Sequence, residues 1–243
     1  MASVYVALGD SMSIDLYPES DASERLGITA TGLGAASLFH RNVDGVWPEH
    51  AGLDLATRFP GIELDNRTCD GAMIDTVLDD QLHDSAESRA ATIATLTIAG
   101  NDLLMALGVA SEGTSALLDE VRRIKQRYAM LLERARSALP RALLVVATIY
   151  DPSDGTGYIW PGSERLPIEL LKQVNDHIRQ AVRRTPDAVL ADVHTHFLGH
   201  GVHVARDAQW YWPPNPIEPS ARGASEIRRV FWNALDGAGR AKL

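Results

Sequence analysis

The sequence predicts an α/β fold: a parallel sheet covered by helices on both faces. Three observations predict it. Short aliphatic and β-branched runs alternate with amphipathic helical patterns along the chain. The runs are apolar at successive positions rather than at every second one, as strands buried on both faces must be. The turn-forming polar residues that could carry chemistry follow those runs, at the carboxyl ends where such sheets bind ligands.

The strand candidates are Val4–Leu8, Ile62–Leu64, Thr92–Ile98, Leu143–Thr148 and Val189–Val193. Between them, the clearest helix runs from about Thr114 to Ser137. Leu117, Val121, Ile124, Tyr128, Leu131 and Ala135 form its apolar stripe, and Pro140 follows its end. A second helix starts at Pro167, a favoured first-turn residue, and buries Leu171, Val174, Ile178 and Val182. The last starts near Pro219 with Ala224, Ile227, Phe231 and Ala234 on one face. Repeats, low-complexity tracts and linkers are absent from the sequence, so one domain over residues 1–243 is expected. The two long connections, Ser13 to Gly34 and Gly199 to Asn215, are of a length usually reserved for binding loops.

Composition narrows the function. The 243 residues are 45% hydrophobic and 23% charged, ordinary for a globular chain with a sizeable core. A formal charge of −9 with no basic stripe argues against nucleic acid as a partner. The single cysteine, Cys69, excludes an intrachain disulfide and reads as a small buried apolar side chain. The first apolar run, Val4–Leu8, is too short for a signal segment or a membrane span, so a cytoplasmic location is expected. No dinucleotide or P-loop pattern is present, and no cofactor is expected.

Three turns stand out. Gly9-Asp10-Ser11-Met12-Ser13 follows the first strand directly, which would lift the Ser11 hydroxyl to the sheet edge. Taken alone, it is equally an Asp-Ser turn cap. Gly71 lies in a turn after the second strand, and Gly100-Asn101-Asp102 follows the third. Acyl transfer needs a nucleophile and donors aimed at a developing oxyanion. Ser11, with its own N–H, the Gly71 N–H and the Asn101 side-chain amide, could supply all of these. Asp10 and Asp102 read as support for these turns or as ordinary turn and helix-start caps.

In these blocks the chain resembles the SGNH/GDSL hydrolases. Gly9-Asp10-Ser11-Met12 is similar to their first block, with Met for the usual Leu; Gly71 matches the second and Gly100-Asn101-Asp102 the third. The resemblance implies a flavodoxin-like three-layer αβα sandwich with a five-stranded parallel sheet. It also implies hydrolysis of esters or thioesters through an acyl-enzyme. Acetyl or other short-acyl esters, of small molecules or carbohydrate, are the expected substrates.

The fourth block departs from the family. Its Asp-x-x-His pattern is replaced by Asn215-Pro216-Ile217-Glu218, although Pro219 and Gly223 fit. A serine still needs a proton acceptor, and three readings compete. A histidine of the run His194, His196, His200 and His203 supplies it, His200 first, with Glu218 orienting the imidazole. Alternatively, Glu218 is itself the base, its pKa raised by burial. In the third, the site has become a binding site. The same histidines could hold a metal, His194 and His196 sharing a strand face, with Asp10 as a further ligand; the plainer reading gives them hydrogen-bond partners. Trp210, Tyr211 and Trp212, with Tyr158 and Trp160, could line a substrate site or close the core.

Overall fold

The computed structural model describes residues 3–108, 114–160, 162 and 165–242. Five parallel strands form the sheet: β1 (Val4–Gly9), β2 (Glu63–Asn66), β3 (Ala91–Thr97), β4 (Leu143–Ala147) and β5 (Ala188–Ala191), in the order β2-β1-β3-β4-β5. The predicted parallel α/β sheet is therefore present. β1 pairs with β2 on one side and β3 on the other, Ala7 opposite Asn66 and Thr95. The loops that leave all three strands thus emerge at one edge. β2 closes the sheet on one side and carries the polar sequence Glu-Leu-Asp-Asn, partly exposed as an edge strand can be.

Both faces are covered. Val4, Val6 and Leu8 of β1 point to one side and pack with Val121, Tyr128 and Leu131 of helix Thr114–Ala138 and with Val174 and Ile178 of helix Ile168–Arg184. Tyr5 and Ala7 point to the other and pack with Phe39 of helix Ala35–His40 and with Ile227 and Phe231 of helix Ala221–Lys242. The alternating side-chain direction of a strand thus feeds two apolar layers from one continuous apolar run.

Four local expectations need correction. Cys69, read as a buried side chain, is exposed on the loop after β2. β5 ends at Ala191 because the Asp192 side chain accepts from the Thr195 N–H and caps a short helix, Val193–Phe197. His194 and His196 are therefore helical, two residues apart and on different sides, rather than on one strand face. The last helix begins at Ala221, not Pro219, with the Gly223 N–H donating to Ser220 Oγ at 3.1 Å. The stretch before it is an antiparallel pair, β6 (Tyr211–Trp212) with β7 (Asn215–Pro219). Trp210 and Tyr211 belong to the core: Trp210 meets Phe197 edge-on at 5.0 Å, and Tyr211 meets Tyr150 at 5.0 Å. Among the described residues, no helix is long and apolar enough to cross a membrane.

Candidate active site

Ser11 sits on a turn fixed by backbone proximity to β3. Gly9 has φ +128°, and a Cβ there would lie 1.9 Å from the Thr97 carbonyl oxygen, so no other residue fits. The Asp10 N–H then donates to that same carbonyl at 2.9 Å. Buried Gln81 clasps the turn from below: its Oε1 accepts from the Gly9 N–H at 2.7 Å and its Nε2 donates to the Gly9 carbonyl at 3.0 Å. Ser11 follows at the mouth of a pocket, 7% exposed.

Of the expected oxyanion donors, Ser11 and Asn101 line one pocket, whereas Gly71 is exposed and is not among its lining residues; a second set of bonds ties the loop that carries Gly71. Asn101 Nδ2 donates to the Ala72 carbonyl at 2.9 Å, and the Asp102 carboxyl accepts from the Ile74 N–H at 3.1 Å. The Gly100-Asn101-Asp102 turn therefore holds the loop that carries Gly71, itself left-handed at φ +69°. A primary amide has two hydrogens, so Asn101 keeps one for the pocket it lines. Among the described residues, the N–H groups of Ser11 and Gly71 have no hydrogen-bond partner. Ala99, entering this turn at φ +86°, takes a conformation that costs a non-glycine residue on the order of 1–3 kcal/mol, as backbone at functional sites often does.

Glu218 is the group that faces Ser11. β7 brings it there, anchored by the Tyr150 hydroxyl donating to the Ile217 carbonyl at 2.7 Å and by the Ser220 N–H donating to the Trp210 carbonyl at 2.9 Å. Burial raises the Glu218 carboxyl to about 7, opposed by the nearby Ser11 hydroxyl and helped by the charge of Asp70. Glu218 Oε2 is buried without a hydrogen-bond partner. Asp10 lines the same pocket. Burial raises it to about 8, against a hydrogen bond from the Met12 N–H and the nearby Thr97 hydroxyl, and Glu218 adds repulsion.

The histidines lie elsewhere. His200, the leading choice for the base, does not line the pocket. Its ring stacks on Trp210 at 3.5 Å and 4°, and Nδ1 lies 2.9 Å from the Ala208 carbonyl oxygen. His196 Nε2 pairs with Glu226 at 2.9 Å, and His203 Nε2 lies 2.7 Å from the Tyr158 carbonyl oxygen. His194 is partly buried, which lowers its pKa. The four do not converge, and among the described residues no group of three or more His, Cys, Asp or Glu is placed to hold a metal. His196, His200 and His203 thus each have a local partner, whereas at His194 only the backbone N–H is bonded, to the Thr148 hydroxyl.

Several residues escaped the sequence reading. Gln81 and Asn175 are buried amides that each clasp one backbone position at a strand end. Asn175 takes the Ile149 N–H on Oδ1 and gives Nδ2 to the Ile149 carbonyl, both at 2.8 Å. Both had a visible signal: a lone amide within an apolar helical stripe, Asn175 between Val174 and Ile178, Gln81 between Val77 and Leu82. The apolar wall of the pocket, including Leu103, Leu107, Ile159, Ile168 and Leu171, carried no such mark.

A buried serine facing a carboxyl, with free donors at the ends of adjacent parallel strands, defines a hydrolase-type α/β site. The family comparison agrees: residues 7–225 match the model of the GDSL-like lipase/acylhydrolase family, and the chain belongs to that family. No curated protein matches it. Among solved structures it is similar in fold to phospholipase A1 from Streptomyces albidoflavus NA297 (18% identity, TM-score 0.59, 96% of this chain and 100% of that one). An extracellular lipase from Streptomyces rimosus is similar too (22%, TM-score 0.58, 96% and 100%). So is a carbohydrate esterase family 3 protein from Talaromyces cellulolyticus (16%, TM-score 0.57, 99% and 99%).

Proposed function

We propose that this protein is a serine esterase in which Glu218 does the work the family assigns to histidine. The observation that carries the proposal is the placement of Glu218 against Ser11, with a pKa raised to about 7 and no imidazole among the residues lining the pocket. A carboxylate of that basicity is poised to accept a proton near neutral pH, where an ordinary glutamate would be too weak a base.

Ser11 Oγ attacks the ester carbonyl as Glu218 takes its proton. The carbonyl π electrons move onto oxygen, where the N–H groups of Ser11 and Gly71 and the Asn101 amide donate to it. Collapse of the tetrahedral intermediate breaks the bond to the alcohol, which leaves with the proton from Glu218. Glu218, a carboxylate again, then deprotonates a water that attacks the acyl-serine. The second collapse frees the carboxylic acid and returns the proton to Ser11. Asp10, held protonated by burial at neutral pH, keeps a second negative charge away from the nucleophile.

The test is turnover of nitrophenyl esters combined with labelling by a fluorophosphonate probe. Wild-type protein is expected to turn over the ester and to carry one label on Ser11, and Ser11→Ala to do neither. Labelling at another residue, or unchanged turnover by Ser11→Ala, would overturn the assignment.

A further inference from the structure

We infer that the pocket beside Ser11 holds the acyl chain of a medium-chain ester, about the length of octanoyl, rather than an acetyl group. This rests on the esterase reading and names its substrate class. Helix Gly100–Gly108 supplies one wall. Gly100, Asn101, Leu103, Leu104 and Leu107 all line the pocket, so one helical face borders it for two turns. From the oxyanion donor Asn101 to Leu107 the helix rises about 9 Å at 1.5 Å per residue. An extended chain covers roughly 1.2 Å per bond, so this wall matches about seven bonds beyond the carbonyl.

The chemistry of the lining agrees with its length. The opposite wall is Ile159, Leu166, Pro167, Ile168, Leu170 and Leu171. Among the described residues, the polar lining is confined to Asp10, Ser11, Asn101, Asp151, Glu218 and Tyr150, whose hydroxyl is engaged by the Ile217 carbonyl. The helix wall also meets apolar surface: Leu104 both lines the pocket and is 37% exposed, and its neighbour Met105 is 65% exposed. Tyr158 and Trp160, which flank pocket-lining Ile159 in the chain, are 47% and 42% exposed. A sugar would find few hydrogen-bonding partners along this wall, whereas a hydrocarbon chain would bury the apolar surface that the lining offers.

The experiment compares nitrophenyl acetate, butyrate, hexanoate and octanoate. The expected kcat/KM rises by about three- to fourfold per methylene through hexanoate, from the burial of each group. Leu107→Trp and Leu104→Trp fill the wall from the helix side and should each lower the octanoate-to-acetate ratio by at least about tenfold; Leu104 is exposed, so its replacement leaves folding intact. A second arm measures binding to Ser11→Ala protein, which forms no acyl-enzyme: octanoate ester should bind at least about tenfold tighter than acetate ester. A profile that peaks at acetate, or equal binding of the two esters, overturns the chain-length inference while Ser11 labelling leaves the esterase reading standing. Chain-length-dependent binding without turnover or labelling would uphold the pocket and overturn the esterase reading.

Discussion

The Ser11 side and the Glu218 side of this site are built differently. Ser11 and Gly71 stand on loops and Asn101 in the first turn of helix Gly100–Gly108, each just after one of three adjacent strands, and buried Gln81 and the Asn101 amide tie their backbones. Glu218 stands on a two-stranded excursion outside the main sheet, held by the Tyr150 hydroxyl and a few backbone bonds. The first arrangement leaves little freedom: a Cβ at Gly9 collides with Thr97, and the turn that follows has one geometry. The second can accept a different side chain, provided it reaches Ser11.

The largest expected effect is on the Ser11 side. Ser11→Ala should reduce kcat by about ten-thousand-fold or more, measured by ester hydrolysis at saturating substrate. Glu218→Gln keeps the shape and removes the basicity; a loss of about a thousandfold is expected in kcat with KM little changed. Glu218→His, which restores the family's imidazole, should recover part of that loss if the excursion tolerates exchange as argued.

Smaller effects probe the supports. Gln81→Met strips Gly9 of both side-chain partners and leaves its buried N–H unpaired, while its carbonyl keeps the Cys69 N–H; this should cost about 1–3 kcal/mol of stability and lower kcat by about tenfold. His200→Ala removes a ring stacked on Trp210 and should cost about 1 kcal/mol of stability while kcat changes less than about threefold. These two variants separate positioning of the nucleophile from packing beneath the base strand.

The buried carboxyls also set a pH dependence of stability. Asp10 and Glu218 hold their protons in the folded protein to about 8 and about 7, whereas the unfolded chain releases them in the usual carboxylate range. The folded state therefore binds more protons between those ranges, and stability falls as pH rises. Their contribution is complete below the unfolded pKa and is lost as pH climbs through 7 and 8. Asp10→Asn should flatten this fall and raise Tm by about 5 °C at pH 8.5 relative to wild type.

Much of this was legible in the sequence. The parallel sheet followed from apolar runs such as Leu143–Thr148, whose side chains must be buried on both faces. Ser11, Gly71 and Asn101 were legible because turns after strands carry local, short-range signatures. The base was ambiguous because its location depends on a long-range packing choice. Glu218 and His200 are 18 positions apart in the chain, and nothing in their own neighbourhoods says which one meets Ser11. Trp210 decides it, by stacking on His200 and accepting the Ser220 N–H beside Glu218. The acyl wall was hidden for a related reason: Leu107 and Ile168 read as ordinary helix residues until two helices enclose a gap.

The most direct test of the Glu218 assignment is the pH profile of kcat/KM for wild type, Glu218→Gln and His200→Ala. The account predicts a rising limb centred at about 7 in wild type and in His200→Ala, and its disappearance in Glu218→Gln. A limb that survives in Glu218→Gln and disappears in His200→Ala would return the proton to the imidazole and contradict the account.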